Sequence, residues 1–381
     1  MADYKKYQSD GVSAEDKALD KFAELMIEKI ESLKNSDSWK QPWFTEGSLR
    51  WPRNLSGREY NGMNALLLMM LCEKQNYKLP VFCTFNRAVG LNYTTDKQGA
   101  KKSITDADGQ PLPRVGINKG EKSFPVMLTT FTVVDKDTKE KINYEDYKRL
   151  SNDEKAQYNV YPKLNVYQVF NVDQTNLKEA RPDLYAKLES ENKLQRPFSG
   201  EGESFKFPAM DAMIAENKWI CPINLVHQDN AYFSISKNQI TLPEKSQFKD
   251  GESFYGTAFH EMTHSTGTAE MFNRFNPESG FGSAEYAKEE LVAELGSALV
   301  AQRYGMTKNL KDDSAVYMKS WLDSLKESPS FIKTTLMDVK RATSVITQRI
   351  DEVALELEAK QSQTNDKSVS MDAEAKVEKP Q

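Results

Sequence analysis

The chain has 381 residues, of which 39% are hydrophobic and 28% charged, with three cysteines, three histidines and a formal net charge of −5. That length predicts two domains, and the apolar content supports packed cores and excludes a wholly disordered chain. Cys72, Cys83 and Cys221 are widely spaced and odd in number, which argues for a reducing cytoplasm over a disulfide framework.

Met1–Lys6 has no apolar run behind its charges, so no secretory leader is expected, and residues 1–12 read as disordered. Ser13-Ala14-Glu15-Asp16 is a helix start, and Ala18, Phe22, Leu25, Met26, Ile30 and Leu33 continue it at helical period. Pro42, Gly47, Pro52 and Gly57 mark a loop. Residues 63–75 read as a buried helix; its stretch Leu66–Leu71 is the greasiest in the chain but too short to span a bilayer, so no membrane partner is expected. A short helix over 84–89 follows, then strands over 124–134 and 164–172. The charged, turn-rich stretch 135–159 lies between these strands, and the polar stretch from Thr175 to Glu203, with Pro182 and Pro197, reads as a connector.

The charge is uneven. Residues 34–122 hold fourteen Lys/Arg against eight Asp/Glu, a net of +6, which leaves −11 for the remainder. Between Trp39 and Tyr93, aromatics (Trp39, Trp43, Trp51, Tyr60, Phe85) are interleaved with Lys40, Arg53, Arg58 and Arg87. A basic groove with stacking aromatics is what single-stranded nucleic acid requires, so this composition permits a strand-binding module joined to an acidic domain.

The second domain is expected to begin near Phe205. A helix over 208–217 precedes a hairpin of 232–235 and 239–242, and helices follow at about 251–266, 284–303, 311–326 and 330–358. The expected division is therefore 1–12 disordered, 13–175 the first domain, 176–204 a linker, 205–358 the second domain and 359–381 a disordered tail.

His260-Glu261-Met262-Thr263-His264 lies in the helix over 251–266. Residues i and i+4 share a helix face, so both imidazoles can reach one metal ion, and Glu261, about 100° around, can face a water on that ion. Gly267 reads as a left-handed cap. A catalytic zinc site takes three protein ligands. His227 sits in a polar turn and reads as a loop histidine. Glu290 and Glu294 share one face of the helix over 284–303; Glu290 is the favoured ligand and Glu294 the favoured partner for the far nitrogen of a ligand histidine, with the reverse assignment open. Glu289 is a third choice for the metal, ranked behind them because it points about 100° away. Tyr286, one turn before Glu290, is placed either to donate to a tetrahedral oxyanion or to fill the core.

These pieces resemble a known family. Ala231-Tyr232, Ile240-Thr241-Leu242-Pro243, Phe248, His260-Glu261-x-x-His264-Ser265-Thr266-Gly267, and Phe281-Gly282-Ser283 followed by Tyr286 through Glu294 look like the zincin-type metallopeptidase domain of ArdC-type antirestriction proteins. Trp39–Trp43, Arg53-Asn54, Tyr60–Asn64, Thr84–Ala88, Lys119–Lys122 and Val169–Gln174 look like the single-stranded-DNA-binding domain of the same family. The stretch 135–159 is an insertion relative to a compact member, and the connection from Ala88 to Lys102 is longer than the pattern requires. The resemblance implies an α+β fold. It pairs an α/β strand-binding domain with a zincin-like domain that carries a small antiparallel sheet and the His-Glu-x-x-His helix, and it makes the hairpin over 232–242 a substrate edge.

The implied protein is a Zn2+-dependent metallopeptidase with His260, His264 and Glu290 on the metal and Glu261 and Tyr286 in catalysis. It would bind single-stranded DNA, with contacts at Trp43, Trp51, Arg53, Arg87 and Lys119, and protect incoming mobile-element DNA; its protein or peptide substrate is unassigned. The alternative is a strand-coating antirestriction protein whose zinc site is structural or vestigial.

Overall fold

The computed structural model describes residues 13–34, 51–96, 98–192, 205–275, 283–306, 314–327 and 329–375. They form two compact units, one drawn from 13–25, 53–58 and 77–191, the other from 26–34, 51–52, 59–76 and 192 onward. The division is not contiguous. The first helix, α1 (Ala14–Lys34), is cut by it, and the buried helix α2 (Met63–Gln75), expected in the first domain, belongs with the second unit. Residues 1–12 and Trp43 lie outside the described residues.

α1 opens as its sequence predicts. The Ser13 hydroxyl accepts from Asp16 N at 3.0 Å, and Asp16 accepts in return from Ser13 N at 3.2 Å. Such reciprocal capping satisfies two donors that a helix start otherwise leaves to water. In the first unit, five strands are ordered β1-β2-β7-β5-β6: β1 (Arg53–Asn54) and β2 (Val81–Cys83) are parallel, and the rest antiparallel. β5 (Phe124–Asp135) and β7 (Tyr158–Asn171) pair without interruption from Phe124↔Val169 to Asp135↔Tyr158. This pairing starts β7 six residues earlier than expected, because the ladder continues through Lys163, Pro162 and Tyr161. The insertion caps the far end with β6 (Lys141–Ile142), α4 (Tyr144–Arg149) and α5 (Asn152–Lys155).

After β2 come α3 (Phe85–Gly90) and the ribbon β3 (Tyr93–Thr95)–β4 (Lys101–Ser103). The expected linker holds α6 (Leu177–Ala180) and α7 (Pro182–Glu191). Leu177, Ala180, Tyr185 and Leu188 pack with Leu79, Val81, Val115 and Val172 in one apolar cluster, so this stretch is part of the first unit. The four buried residues it contributes to this cluster are separated by charges, which made it read as a connector.

The second unit places α8 (Pro208–Ala215), β8 (Ile223–Val226), β9 (Tyr232–Ser234) and β10 (Gln239–Pro243) ahead of the long helices. The expected hairpin is present, but the sheet is mixed: β10 pairs antiparallel with β9 and parallel with β8. α9 (Gly251–Ser265) lies against this sheet and α10 (Ala284–Arg303) against α9. Asp250 caps α9 by accepting from Ser253 N at 2.6 Å, and Ser283 caps α10 by accepting from Tyr286 N at 3.1 Å. Phe254, Phe259 and Met262 of α9 and Leu291, Leu295 and Leu299 of α10 are fully buried. Each such side chain contributes about 1.5–3 kcal/mol of transfer free energy.

Two glycines owe their identity to close approach. A Cβ on Gly296 of α10 would stand 2.9 Å from Thr263 Cγ2, so its absence lets α9 and α10 pack tightly. Gly267 is not a left-handed cap; α9 ends on Thr266 in right-handed geometry. A Cβ at Gly267 would meet the Phe275 ring at 3.0 Å, and this is the constraint that glycine relieves.

α11 (Ser314–Glu327) and α12 (Pro329–Ala375) complete the unit. α12 runs well past 358, where a disordered tail was expected. The stretch 359–375 contains neither Gly nor Pro, so no helix breaker stops α12 beyond its core-facing residues. Among the described residues no helix is long and apolar enough to cross a membrane.

Candidate metal centre

α9 sets His260 and His264 one turn apart, with their Nε2 atoms 3.1 Å from each other. α10 brings Glu290 to the same point: Oε2 is 3.5 Å from His260 Nε2 and Oε1 3.5 Å from His264 Nε2. Among the described residues these three form a cluster with metal-ligand geometry. Ligand atoms about 2.0–2.1 Å from a tetrahedral zinc lie about 3.3 Å apart, close to the three separations found.

The chemistry of the donors also fits a cation. His264 Nδ1 lies 3.2 Å from Glu289 Oε1 and His260 Nδ1 3.6 Å from Glu294 Oε1. A ring proton placed on each Nδ1, toward its carboxylate, leaves both Nε2 atoms as lone pairs. Two lone pairs and a carboxylate then converge in a buried space, and only a positive charge between them relieves the repulsion.

The acids are allotted by packing. Glu294 is fully buried and faces His260. Glu289, set aside at about 100° from the metal face, instead reaches the back of His264. It is gripped by Arg274, whose Nε and Nη2 donate to its two oxygens at 2.9 and 2.8 Å. Burial raises the Glu289 pKa, but Arg274 and His264 outweigh it and hold the carboxyl below its usual range. Burial disfavours charged His264, yet Glu289, Glu290 and Glu261 together raise its pKa. Arg274 was not legible in the sequence. It lies ten residues beyond His264 in a polar stretch with no periodicity, and only the folding back of that stretch onto α9 exposes its role.

Glu261 is buried, one residue on from His260. Tyr286 is half-buried, and its pKa is raised first by burial and then by Glu290, to which its hydroxyl is hydrogen-bonded. Its ring also lies 5.6 Å from that of Tyr317. The hydroxyl is therefore engaged with a candidate ligand rather than buried among apolar groups. His227 is largely exposed, 3.6 Å from Glu244, and is not among the three clustered residues.

The residues expected to contact DNA divide. Trp51 is half-buried in the second unit, where its indole N–H donates to Tyr60 O at 2.6 Å and its ring lies 5.3 Å from the Arg303 guanidinium. Arg53 is tied within the first unit to Leu188 O at 3.3 Å and Glu191 at 3.4 Å. These bonds make both structural contacts. Arg87 and Lys119 are exposed. Phe85 of α3, among the aromatics of the strand-binding composition, is exposed, as are Tyr161 and Tyr167 of β7 and Leu128 of β5, which the sequence did not single out. The alternation of β7 was the available signal, but its extent could not be read without β5.

The N-terminal domain of the anti-restriction factor ArdC matches residues 16–170, and a zincin-like metallopeptidase domain matches residues 208–336. The chain therefore carries an ArdC-type N-terminal domain followed by a zincin-like metallopeptidase domain. Its fold is that of the antirestriction protein ArdC of plasmid R388: the metal-free crystal structure aligns over 88% of this chain and 98% of that one at 22% identity with a TM-score of 0.58. The Mn(II)-bound crystal structure aligns over 87% and 97% at the same identity and TM-score. Two Escherichia coli proteins named DNA primase TraC are 29% and 25% identical over 352 and 365 residues. The alignments cover 90% and 95% of this chain but only 20% and 29% of those relatives.

Proposed function

We propose that the chain is a zinc-dependent metallopeptidase joined to a single-stranded-DNA-binding domain, and that it acts as an antirestriction protein. The observation that carries the peptidase reading is the convergence of His260, His264 and Glu290 with Glu261 beside them. His260, His264 and Glu290 would hold a divalent ion, which when bound would supply a water of lowered pKa and polarise a carbonyl. Glu261, beside these ligands, would serve as general base toward an attacking water and return the proton to the leaving amine. Glu294 and Glu289 hold the two imidazoles in the tautomer that presents Nε2. Tyr286 orients Glu290 with its single hydroxyl proton, and would donate to a developing oxyanion only by turning from that carboxylate. The free edge of β9, in the sheet against which α9 packs, would take the peptide as an added strand.

Strand binding is supported by the β5–β7 ribbon. Between Phe124↔Val169 and Val134↔Asn159 its paired stem contains no acid, and Asp135 stands at the far end opposite Tyr158. Val126↔Tyr167, Thr130↔Lys163 and Thr132↔Tyr161 are cross-strand partners, so Tyr161, Lys163 and Tyr167 share one face, and Asn165 lies between them on that face. Tyrosines alternating with a cation and amide suit bases and phosphates of one strand. Arg87 and Lys119 add exposed charge in the same unit.

The deciding experiment replaces Glu261 with Gln in protein shown to retain its metal. Cleavage of a denatured general protein substrate should fall about 10²–10⁴-fold, the usual contribution of a general base. Protection of incoming DNA from restriction should fall with it. Undiminished protection by a cleavage-dead protein would favour the strand-coating alternative, and undiminished cleavage would remove Glu261 from this role.

A further inference from the structure

The metal cluster is not the end of the buried polar network. Arg274 has two partners on Glu289, and it also donates from Nη1 to Thr266 Oγ1 at 2.9 Å and from Nη2 to Thr263 O at 2.8 Å. Its side chain is only 5% exposed, so these bonds take up the guanidinium out of water. Thr263 and Thr266 are the last turn of α9 and its cap, which carry His264 between them. The planar fork thus fastens three things at once: the end of the histidine helix, the carboxylate behind His264, and the loop from which Arg274 itself comes.

That loop is folded back tightly. Arg274 N and Phe275 N both donate to Gly267 O, at 2.9 and 3.3 Å, Phe272 N donates to Thr266 O at 3.2 Å, and Asn273 takes a left-handed φ of 48°. Phe275 follows Arg274 directly, and its ring stacks on Phe233 with centroids 6.1 Å apart and planes at 17°. Phe233 is the middle residue of β9. One chain of contacts therefore leads from the metal ligand to the edge strand of the sheet: His264, Glu289, Arg274, Phe275, Phe233.

We propose that Arg274 is a positioning residue that acts on His264 through Glu289, and that it couples metal occupancy to the order of the loop 266–275 and the edge strand β9. The physical reason is a shared cost. Holding Glu289 behind His264 requires Arg274 in place, and Arg274 is in place only when the loop is folded back with Phe275 on Phe233. An ion that fixes His264 thereby stabilises the folded loop, and whatever loosens the loop weakens the ion's hold by the same free energy. Arginine suits the position and lysine does not, since a single ammonium cannot span both carboxylate oxygens while also reaching Thr266 Oγ1 and Thr263 O.

This proposal rests on the metal-site reading above but not on peptidase activity, so its test uses the ion alone. Zn2+ affinity of the full-length apo-protein is measured by competition with a chelating dye, for wild type, Arg274→Met, Arg274→Lys and Glu289→Gln. Backbone hydrogen exchange of Tyr232–Ser234 and of the loop is followed with and without Zn2+. Arg274→Met should bind Zn2+ about 10–100-fold more weakly, the usual cost of losing an outer partner of a ligand histidine, with Arg274→Lys recovering only part. In wild type, Zn2+ should slow exchange in β9; in Arg274→Met it should not. The visible spectrum of the Co2+-loaded Arg274→Met protein should shift, which a merely structural residue would not cause. If wild type binds Zn2+ and β9 exchange ignores it, or if Arg274→Met binds as tightly as wild type, the coupling is wrong while the metal site stands. A wild-type protein that binds no divalent ion overturns both. Should Arg274→Met not fold, Glu289→Gln, which keeps an acceptor for His264 but loses the bidentate ion pair, and the wild-type exchange experiment still decide.

Discussion

Gly296→Ala tests whether the spacing of α9 and α10 sets the metal site. In an unobstructed helix this change stabilises by about 1 kcal/mol. Here the added Cβ would lie 2.9 Å from Thr263 Cγ2 and 3.0 Å from Thr263 Oγ1. Thr263 has little room to yield, because it is fully buried and its hydroxyl donates to Phe259 O at 2.8 Å. Either that bond is lost, at about 1 kcal/mol, or the helices separate by a few tenths of an ångström at an overpacking cost of about 1–3 kcal/mol. Set against the propensity gain, the expected net loss is about 0–2 kcal/mol, or up to about 8 °C in Tm at about 2–4 °C per kcal/mol. Zn2+ affinity should fall as well, since Glu290 is carried on α10 and the histidines on α9. Thr263→Ala removes both offending atoms. In the double variant the penalty should shrink, giving a coupling energy of at least about 1 kcal/mol in calorimetry and chemical denaturation. A Gly296→Ala protein that gains stability and binds Zn2+ as before would refute the tight-packing argument.

Burial pushes the thiols of Cys83 and Cys221 up to about 11, so each stays neutral well above physiological pH. At pH 8 only about one in a thousand of either should be thiolate, and labelling by iodoacetamide should be slow in the native protein and fast after denaturation; rapid native labelling would contradict their burial. Ser283→Ala removes the α10 cap and should cost about 1 kcal/mol in denaturant titration, while Ser283→Gly costs a few tenths. Chelation of the metal should lower the apparent stability, by about 2.7 kcal/mol for a protein previously held at 100 times its Kd, and a Tm indifferent to chelator would mean the cluster holds no ion. Charge reversal of Arg87 and Lys119 together should weaken binding of a labelled single-stranded oligonucleotide and flatten its dependence on salt, whereas binding unchanged in strength and slope would take these residues off the phosphate path.

What the sequence determined by itself was local. The spacing of His260 and His264 fixes both rings on one helix face at any location in the fold, and Ser13 announces a helix start through bonds made within a few residues. The α10 boundaries were legible for the same reason. Tertiary structure decided the rest. The sequence favoured Glu290 for the metal and Glu294 behind a ligand histidine, but nothing in the order of the three glutamates says that Glu289 stands behind His264. That depends on the approach of α10 to α9, set by a missing Cβ at Gly296, and on Arg274 arriving from a loop without periodicity. The same holds for Trp51 and Arg53, which read as free for DNA until their partners Tyr60, Arg303, Leu188 and Glu191 were in place. Chain periodicity reports what neighbours a few residues apart can do, whereas the assignment of a charge to its partner is made across distances in sequence that only packing closes.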